Sequence, residues 1–440
     1  MFTRKHSIFT LVLVCLFALS GSVKAQYDAT LSVFDVGPSE QVRDTTVHSK
    51  SFGAKISHLF HNIKNLMWDV DSSYCEPRQY RGQIKLMDRI MYESLDMDAD
   101  DGTGVAMHSH VANYVGPGVV FSPLGLSVKW DLSPHKYDDN GEDVDRQKME
   151  MGINVYNQLL YADLFYRKTG GDFDISRYNA PGLGALLGKD TEEIDGMGLT
   201  RIDWIGGDVN LILNHRRFSM PAAYMGNGRQ LRSVGSPIIG FGYSHRLIEN
   251  SVADLTSVIA MLILASIDED EEVSQEMYKQ LEECLACKMP SRLVFNDYHA
   301  SLGYSYNWVL SPHFLVNGTL TLQPAIKTAH LSNTDVLLET VLREDMQDMT
   351  KPQEQRQMSQ NLYNDFVFDI RKTFLDFNAI ARLSAMWSKN QWRVGANMIY
   401  NSSRFHVSPV KVNSTLFAAN VYVQYSFFNR SRKLKLHKSH

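Results

Sequence analysis

The stretch Thr415 to Phe428, TLFAANVYVQYSFF, restricts the fold more than any other part of the chain. Phe417, Ala419, Val421, Val423, Tyr425 and Phe427 fall on one side of an extended backbone, and Ala418, Asn420, Gln424 and Ser426 on the other. Alternation of apolar with mostly polar residues at period two marks a strand whose faces meet different surroundings. A soluble sheet also shows it. Here the strand comes last, ends on aromatics, and belongs to a chain whose first 25 residues read as an export signal. Arg4 and Lys5 make the positive start, Ile8 to Leu19 the apolar core, and Val23-Lys24-Ala25 the cleavage site. Together these predict the closing strand of an outer-membrane β-barrel.

The pattern recurs upstream. Ile84, Leu86, Ile90 and Tyr92 oppose Gln83, Lys85, Arg89 and Glu93; Leu302, Tyr304, Tyr306 and Trp308 oppose Ser301, Ser305 and Asn307. Each run has about the 9–11 residues a tilted membrane strand needs. The spacing predicts about 12 strands, near 83–94, 105–119, 124–132, 147–156, 158–168, 199–213, 232–246, 297–309, 313–327, 373–388, 391–405 and 415–428. The 105–119 run is the least regular, because His108, Ser109 and His110 blur both faces. Tight links (SPLG, NQ, SPH, KNQ) alternate with long ones, as short periplasmic turns alternate with external loops in bacterial barrels. The link after the sixth strand, Asn214 to Leu231, is long for a periplasmic turn. Trp308, Phe314, Trp387, Trp392, Phe427 and Phe428 all fall at strand ends assigned to the periplasmic rim, as an interfacial girdle requires.

The expected organisation is a signal peptide (1–25), a periplasmic N-terminal segment (26–80), a transmembrane antiparallel up-and-down β-barrel (81–428) and a basic tail (429–440). Long loops at 169–198, 247–296 and 328–372 are expected to carry short helices outside the membrane. The apolar segment 251–267 carries Asp254 and runs into an acidic stretch, so it reads as a loop helix rather than a span. A formal net charge of −5 gives no reason to expect nucleic acid. Cys75, Cys284 and Cys287 remain after cleavage, an odd number that implies no complete disulfide framework. CLAC at 284–287 reads as two cysteines on a helix face. No metal or cofactor is expected; the expected partners are outer-membrane lipid and, during insertion, the barrel-assembly machinery.

Several segments resemble one family of Bacteroidetes outer-membrane proteins, the domain of unknown function 4421. They are DSSYCEPRQY (71–80), INVYNQLLYADLFYRKTGGDFDI (153–175), LNHRRFSMPAAYMGNGRQLRSVGSPIIGFGYS (213–244), LGYSYNWVLSPHFLVNGTLTL (302–322), and the run from WRVGANMIYNSSRF to the final strand. The resemblance implies a secreted outer-membrane barrel and supplies no reaction or ligand.

The inward face is expected to carry Lys85, Arg89, Lys129, Asp131, Lys148 and Glu150, with Asp163, Arg167, Asp376, Arg382 and Arg393. Mixed signs suit a lumen filled by paired charges, since an unpaired buried charge is costly, or a pore for small polar solutes. His215, Arg216 and Arg217 in the long sixth link form the densest polar cluster, and adjacent guanidiniums suit phosphate or carboxylate, as of a lipid or glycan. Hydrolysis is the enzymatic alternative. Ser244 and His245 point to opposite faces of a strand, while His299 and Ser301 share a face without a third member. The favoured reading is therefore a non-enzymatic envelope protein that passes or binds a small solute or anionic lipid or glycan, with an assembly scaffold as a further alternative.

Overall fold

The computed structural model describes residues 70–429 except 77–79, 101, 103, 110, 133–147, 170–172, 180–199, 250–289, 334–342, 345, 348, 350–352, 367 and 409. All of these residues lie in the unit Leu66–His440. The export signal, Cys284, Cys287, the 251–267 segment and the tail beyond 429 fall outside the described residues.

The strands are β1 (Cys75–Glu76), β2 (Tyr80–Ala99), β3 (Gly104–Ser109), β4 (Ala112–Phe121), β5 (Leu124–Asp131), β6 (Met149–Tyr156), β7 (Leu160–Thr169), β8 (Phe173–Asn179) and β9 (Arg201–Ile212). A short helix α1 (Met220–Tyr224) follows, then β10 (Arg229–Gln230), β11 (Val234–Glu249), β12 (Arg292–Ser311), β13 (Phe314–Asn333), helix α2 (Gln353–Phe366), β14 (Phe368–Lys389), β15 (Trp392–Val407) and β16 (Val410–Asn429). Strands β2, β4, β5, β6, β7, β9 and β11 to β16 pair antiparallel in that order, and β16 pairs back onto β2. The result is a closed 12-stranded up-and-down barrel. Closure removes both sheet edges, so wall strands find ladder partners on both sides, which a strand crossing lipid requires.

The structure divides the expected second strand, 105–119. Its first part is β3, which pairs with Ser94–Asp98 of β2 and with β8; its second part is β4, which pairs with Gly82–Met91 of β2. The blurred alternation at His108–His110 marks this break. The long strands also run further than expected. β11 and β12 extend into the expected loop 247–296, β13 and β14 into 328–372, and β8 lies within 169–198.

That extra length has a physical signature. Along β2 the outward residues up to Tyr92 are apolar except Asp88 and then become Ser94, Asp96 and Asp98, while the inward residues change from Gln83, Lys85 and Arg89 to Leu95 and Met97. Along β15, Met398 and Tyr400 give way outside to Ser402, Arg404 and His406, and Asn397 and Asn401 give way inside to Phe405 and Val407. β16 repeats the inversion around Phe417. Tyr92, Phe417 and Tyr400 are register partners, so the change occurs at one level across three strands. Below that level the barrel is apolar outside and polar inside, as lipid demands. Above it β2, β15 and β16 are polar outside, whereas on the tilted strands β12 to β14 outward apolar residues continue to Tyr298, Ile326 and Leu375. Inside, the wall packs an apolar core that includes Met91, Leu95, Met107, Phe295, Leu331 and Phe405. Phe295 and Phe405 stack at 4.1 Å. This core seals the lumen at the long-loop end.

Candidate functional site: a plugged chamber inside the barrel

The other end is closed by the link between β9 and β11. Ser219 caps α1, accepting from Ala222 N at 3.3 Å, and proline lies in the first turn. The helix and the turn after it enter the short-turn mouth, where wall side chains satisfy their backbone carbonyls. Asn307 donates to Ser219 O (3.1 Å), Ser384 to Ala223 O (2.9 Å), Lys85 Nζ to Tyr224 O (3.2 Å), Gln424 to Met225 O (3.1 Å) and Gln83 to Gly226 O (3.4 Å). Tyr224 OH donates to Asn317 Oδ1 at 2.8 Å. Polar inward positions on five wall strands thus serve a segment whose buried carbonyls have few partners of its own.

A strap formed by residues 70–76 holds this plug from below. β1 pairs with β10, Asp71 N donates to Arg216 O at 2.8 Å, and Leu231 N to Tyr74 O at 2.7 Å. The Tyr74 ring lies between the guanidiniums of Arg217 and Arg232, at 5.0 and 5.5 Å. Asp71 pairs with Arg217 at 3.4 Å. Its carboxyl is held below its ordinary value, first by hydrogen bonds from Ser73 and then by the Arg217 charge. Cys75 Sγ donates to Arg217 O at 2.8 Å, and burial pushes its thiol up to about 12. Gln230 joins the parts: its Oε1 accepts from Ser219 N (2.9 Å) and Asn307 (3.1 Å), and its Nε2 donates to Arg217 O (2.7 Å) and Tyr74 O (3.1 Å). The densest polar cluster of the sequence, His215, Arg216 and Arg217, therefore lies on the outer side of the plug link. Arg216 and Arg217 are exposed there, apart from the lumen cations.

Between plug and apolar core lies a chamber of about 260 Å³. Gly118, Gly125, Ser127 and Gly152 line the wall of β4 to β6 and leave the space that larger side chains would fill. Glu150 accepts from Arg89, from Lys129 at 2.7 Å, and from Nε and Nη2 of Arg167 at 3.2 Å each. On the same wall Asp163 accepts from Tyr156 OH at 3.0 Å and from Asn154 at 2.7 Å, and Arg382 of β14 reaches it across the lumen at 2.6 Å. A third group joins Asp208, His299 and Asp297, with both ring nitrogens of His299 on carboxylates at 2.7 and 2.9 Å; Lys327 lies 3.6 Å from Asp297. Lys148 pairs with Asp131 at 3.5 Å, His406 lies 3.5 Å from Asp376, and Arg393 donates to Ser426. Of the lumen residues read from the alternation, Lys85, Arg89, Lys129, Glu150, Asp163, Arg167 and Arg382 line the chamber, the side chains of Asp131, Lys148 and Arg393 are buried outside it, and Asp376 lies against the exposed His406. Asp208, Arg246, Asp297 and Lys327 escaped that reading. The first lies in a Gly-rich strand without clear alternation, and the other three lie close to the level where the faces invert.

Neither serine–histidine arrangement is assembled. Ser244 lines the chamber, whereas His245 bonds Asn296 at 2.9 Å. Carboxylates occupy both nitrogens of His299, which leaves it no lone pair aimed at Ser301, and Ser301 Oγ instead accepts from Gln323 at 3.2 Å. Among the described residues no group of three or more His, Cys, Asp or Glu side chains could hold a metal ion, and no helix is long and apolar enough to cross a membrane.

The sequence matches the family described as Domain of unknown function (DUF4421) over residues 69–427. The chain belongs to the DUF4421 family. The match begins at the strap and ends at the closing strand, so in this family member it spans plug, chamber and barrel. Comparison with curated proteins finds no match. Among solved structures, the chain is similar to the outer membrane protease OmpT from Escherichia coli at 7% identity and a TM-score of 0.31, covering 80% of this chain and 98% of that one. It is similar to the P. putida toluene transporter TodX at 8% and 0.25 (79% and 90% covered). It is also similar to the translocator domain of the autotransporter NalP from Neisseria meningitidis at 9% and 0.28 (87% and 100% covered). The barrel assignment rests on the strand pairing above rather than on these figures.

Proposed function

We propose that this DUF4421 protein is a non-enzymatic outer-membrane barrel that holds a small polar solute in its interior chamber, with the plug as the gate on the periplasmic side. The short-turn end, which also carries the strap and the start of β2 and end of β16, then faces the periplasm, as in bacterial barrels with short periplasmic turns. The observation that carries the reading is a charged chamber shut below by a segment that is not part of the wall. The apolar core above it is continuous packing, and opening it would expose several large side chains at roughly 1.5–3 kcal/mol each. The plug is held by hydrogen bonds that water can replace, each worth about 0.5–1.5 kcal/mol net, and by apolar packing of Phe218, Met220, Ala222, Ala223 and Met225 against the wall. It buries fewer large side chains than the core and its departure breaks no wall ladder, so it is the cheaper gate.

The test combines Ser127→Cys in the chamber wall, in a background without other cysteines, with replacement of residues 214–233 by a short Gly-rich turn. A small charged methanethiosulfonate should label the cysteine at least tenfold faster in the plug-shortened barrel than with the plug intact, and the intact barrel should show no steady conductance in a planar bilayer. Steady conductance of the intact barrel, or equal protection of the cysteine in a folded plug-shortened barrel, would overturn the reading.

A further inference from the structure

Most lumen charges have a partner of opposite sign. Asp163 has Arg382, Asp131 has Lys148, Asp208 and Asp297 share His299 and Lys327, and Glu93 lies 3.9 Å from Arg246. The wall of β2, β5, β6 and β7 is the exception. There Lys85, Arg89, Lys129 and Arg167 all line the chamber, and Glu150 is the one carboxylate they surround. Lys85 reaches no carboxylate among the described residues; its ammonium donates to the plug carbonyl of Tyr224 and lies 4.8 Å from the centre of the Tyr422 ring.

Donors are also left over. Arg167 is 4% exposed, and its Nη1 has no hydrogen-bond partner; neither has Arg89 Nε, nor the indole N–H of Trp204, a further lining residue. A buried guanidinium donor normally finds an acceptor, because leaving it bare costs about 1–3 kcal/mol or more. Unfilled amide oxygens also line the chamber at Asn397, Asn401 and Asn420, on β15 and β16. The three positive charges in excess and the bare guanidinium donors are together on the β2, β5, β6 and β7 wall, and that combination describes an oxyanion site. The chamber falls just under the range of roughly 300–1,000 Å³ typical of ligand pockets, which excludes a whole lipid or an oligosaccharide.

We infer that the Lys85, Arg89, Lys129 and Arg167 wall binds a small oxyanion-bearing solute, through a carboxylate or phosphate group, beside Glu150. The inference rests on the chamber being a solute site and names its ligand class. Glu150 keeps the guanidiniums aligned in the empty site and repels a second anion, which keeps affinity moderate and release possible. Lys85 links the site to the gate, since an anion that draws its ammonium away from Tyr224 O removes one plug bond.

Isothermal titration of the detergent-solubilised barrel, intact and plug-shortened, with inorganic phosphate and with succinate tests this and separates the two oxyanion types. At least one probe should bind saturably at one site. Lys85→Met should weaken binding about tenfold, and Glu150→Gln should strengthen it about tenfold, since it removes the repelling charge and keeps the shape. Absence of saturable binding by either probe to both proteins would overturn the inference, as would affinities unchanged within twofold in both variants. If Ser127→Cys labelling shows that the plug-shortened chamber is open and neither probe binds, the oxyanion site fails while the gate stands. Binding without any change in labelling has the reverse meaning. Circular dichroism of each variant confirms the barrel before titration.

Discussion

At the scale of single residues, Gln230 and Cys75 decide how firmly the plug is tied. Gln230 is buried and bonds five groups, Ser219 N, Asn307 and the carbonyls of Arg217, Tyr74 and Arg232, so Gln230→Leu orphans Ser219 N and leaves Arg217 O and Tyr74 O with only Cys75 Sγ and Leu231 N. The orphaned N–H costs about 1–3 kcal/mol, and the lost Tyr74 and Arg217 bonds loosen the tie between strap and link. The strap should therefore detach, and Cys75 reports it. Buried, its thiol is pushed up to about 12; released, it returns to roughly 8.5. Maleimide labelling of Cys75 at pH 8 should be on the order of 100-fold or more faster in Gln230→Leu, because the thiolate reacts. Unchanged labelling would mean that the strap stays docked without Gln230. The same two titrations set a pH window. Cys75 has a raised value in the docked state, so its contribution is complete below about pH 8.5 and declines as pH rises toward the docked value. Asp71 has a lowered value, so its contribution is present above the ordinary carboxylate range, about pH 4, and is lost as pH falls through its docked value. Hydrogen exchange of residues 70–76, corrected for intrinsic rates, should be slowest between these limits.

At the scale of elements, the plug and the strands differ in what the sequence discloses. The barrel strands were legible because lipid favours apolar residues at the outward positions it touches, and the tight links SPLG, NQ, SPH and KNQ delimit them. The length of the sixth link was legible too, but not its course. SMPAAYMGNGRQ carries neither period, and the partners of its carbonyls, Gln83, Lys85, Ser384 and Gln424, come from strands distant in sequence. Gly226 and Gly228 are the positions where the turn depends on glycine, with φ of 61° and 96°, and a side chain on Gly226 would also meet Arg393. Gly226→Val should cost about 1–3 kcal/mol, from backbone strain alone, and should displace the turn toward the mouth. The measurable outcome is faster labelling of Ser127→Cys with the barrel melting point nearly unchanged. A large drop in melting point with the cysteine still protected would show the plug to be part of the barrel's folding unit instead of its gate.

At the scale of the whole molecule, the inversion of the two faces explains why strand ends were placed short. A reader of alternation stops where outward residues turn polar, at Tyr92 or Tyr400, although the ladder continues to Ala99 and Val407. The change marks a change of solvent rather than the end of a strand. It also makes the position of the membrane testable. Leu322 and Leu310 are both outward and exposed, at 53% and 65%, but Leu322 lies near the centre of the outward apolar run of β13, Phe314 to Ile326, and Leu310 at the short-turn end of β12. In lipid, arginine costs about 2–4 kcal/mol at the midplane of a barrel and about 0–1 kcal/mol near an interface. Leu322→Arg should therefore lower the unfolding free energy in phospholipid vesicles by about 2–4 kcal/mol, and Leu310→Arg by no more than about 1 kcal/mol. Arg404 supplies the internal control: it is exposed above the level of Tyr400, where an arginine already faces water, so Arg404→Leu should leave stability within about 0.5 kcal/mol. Equal costs for the two leucine positions would place the lipid belt elsewhere on the wall. The inverted half of the barrel would then need another explanation than a solvent boundary.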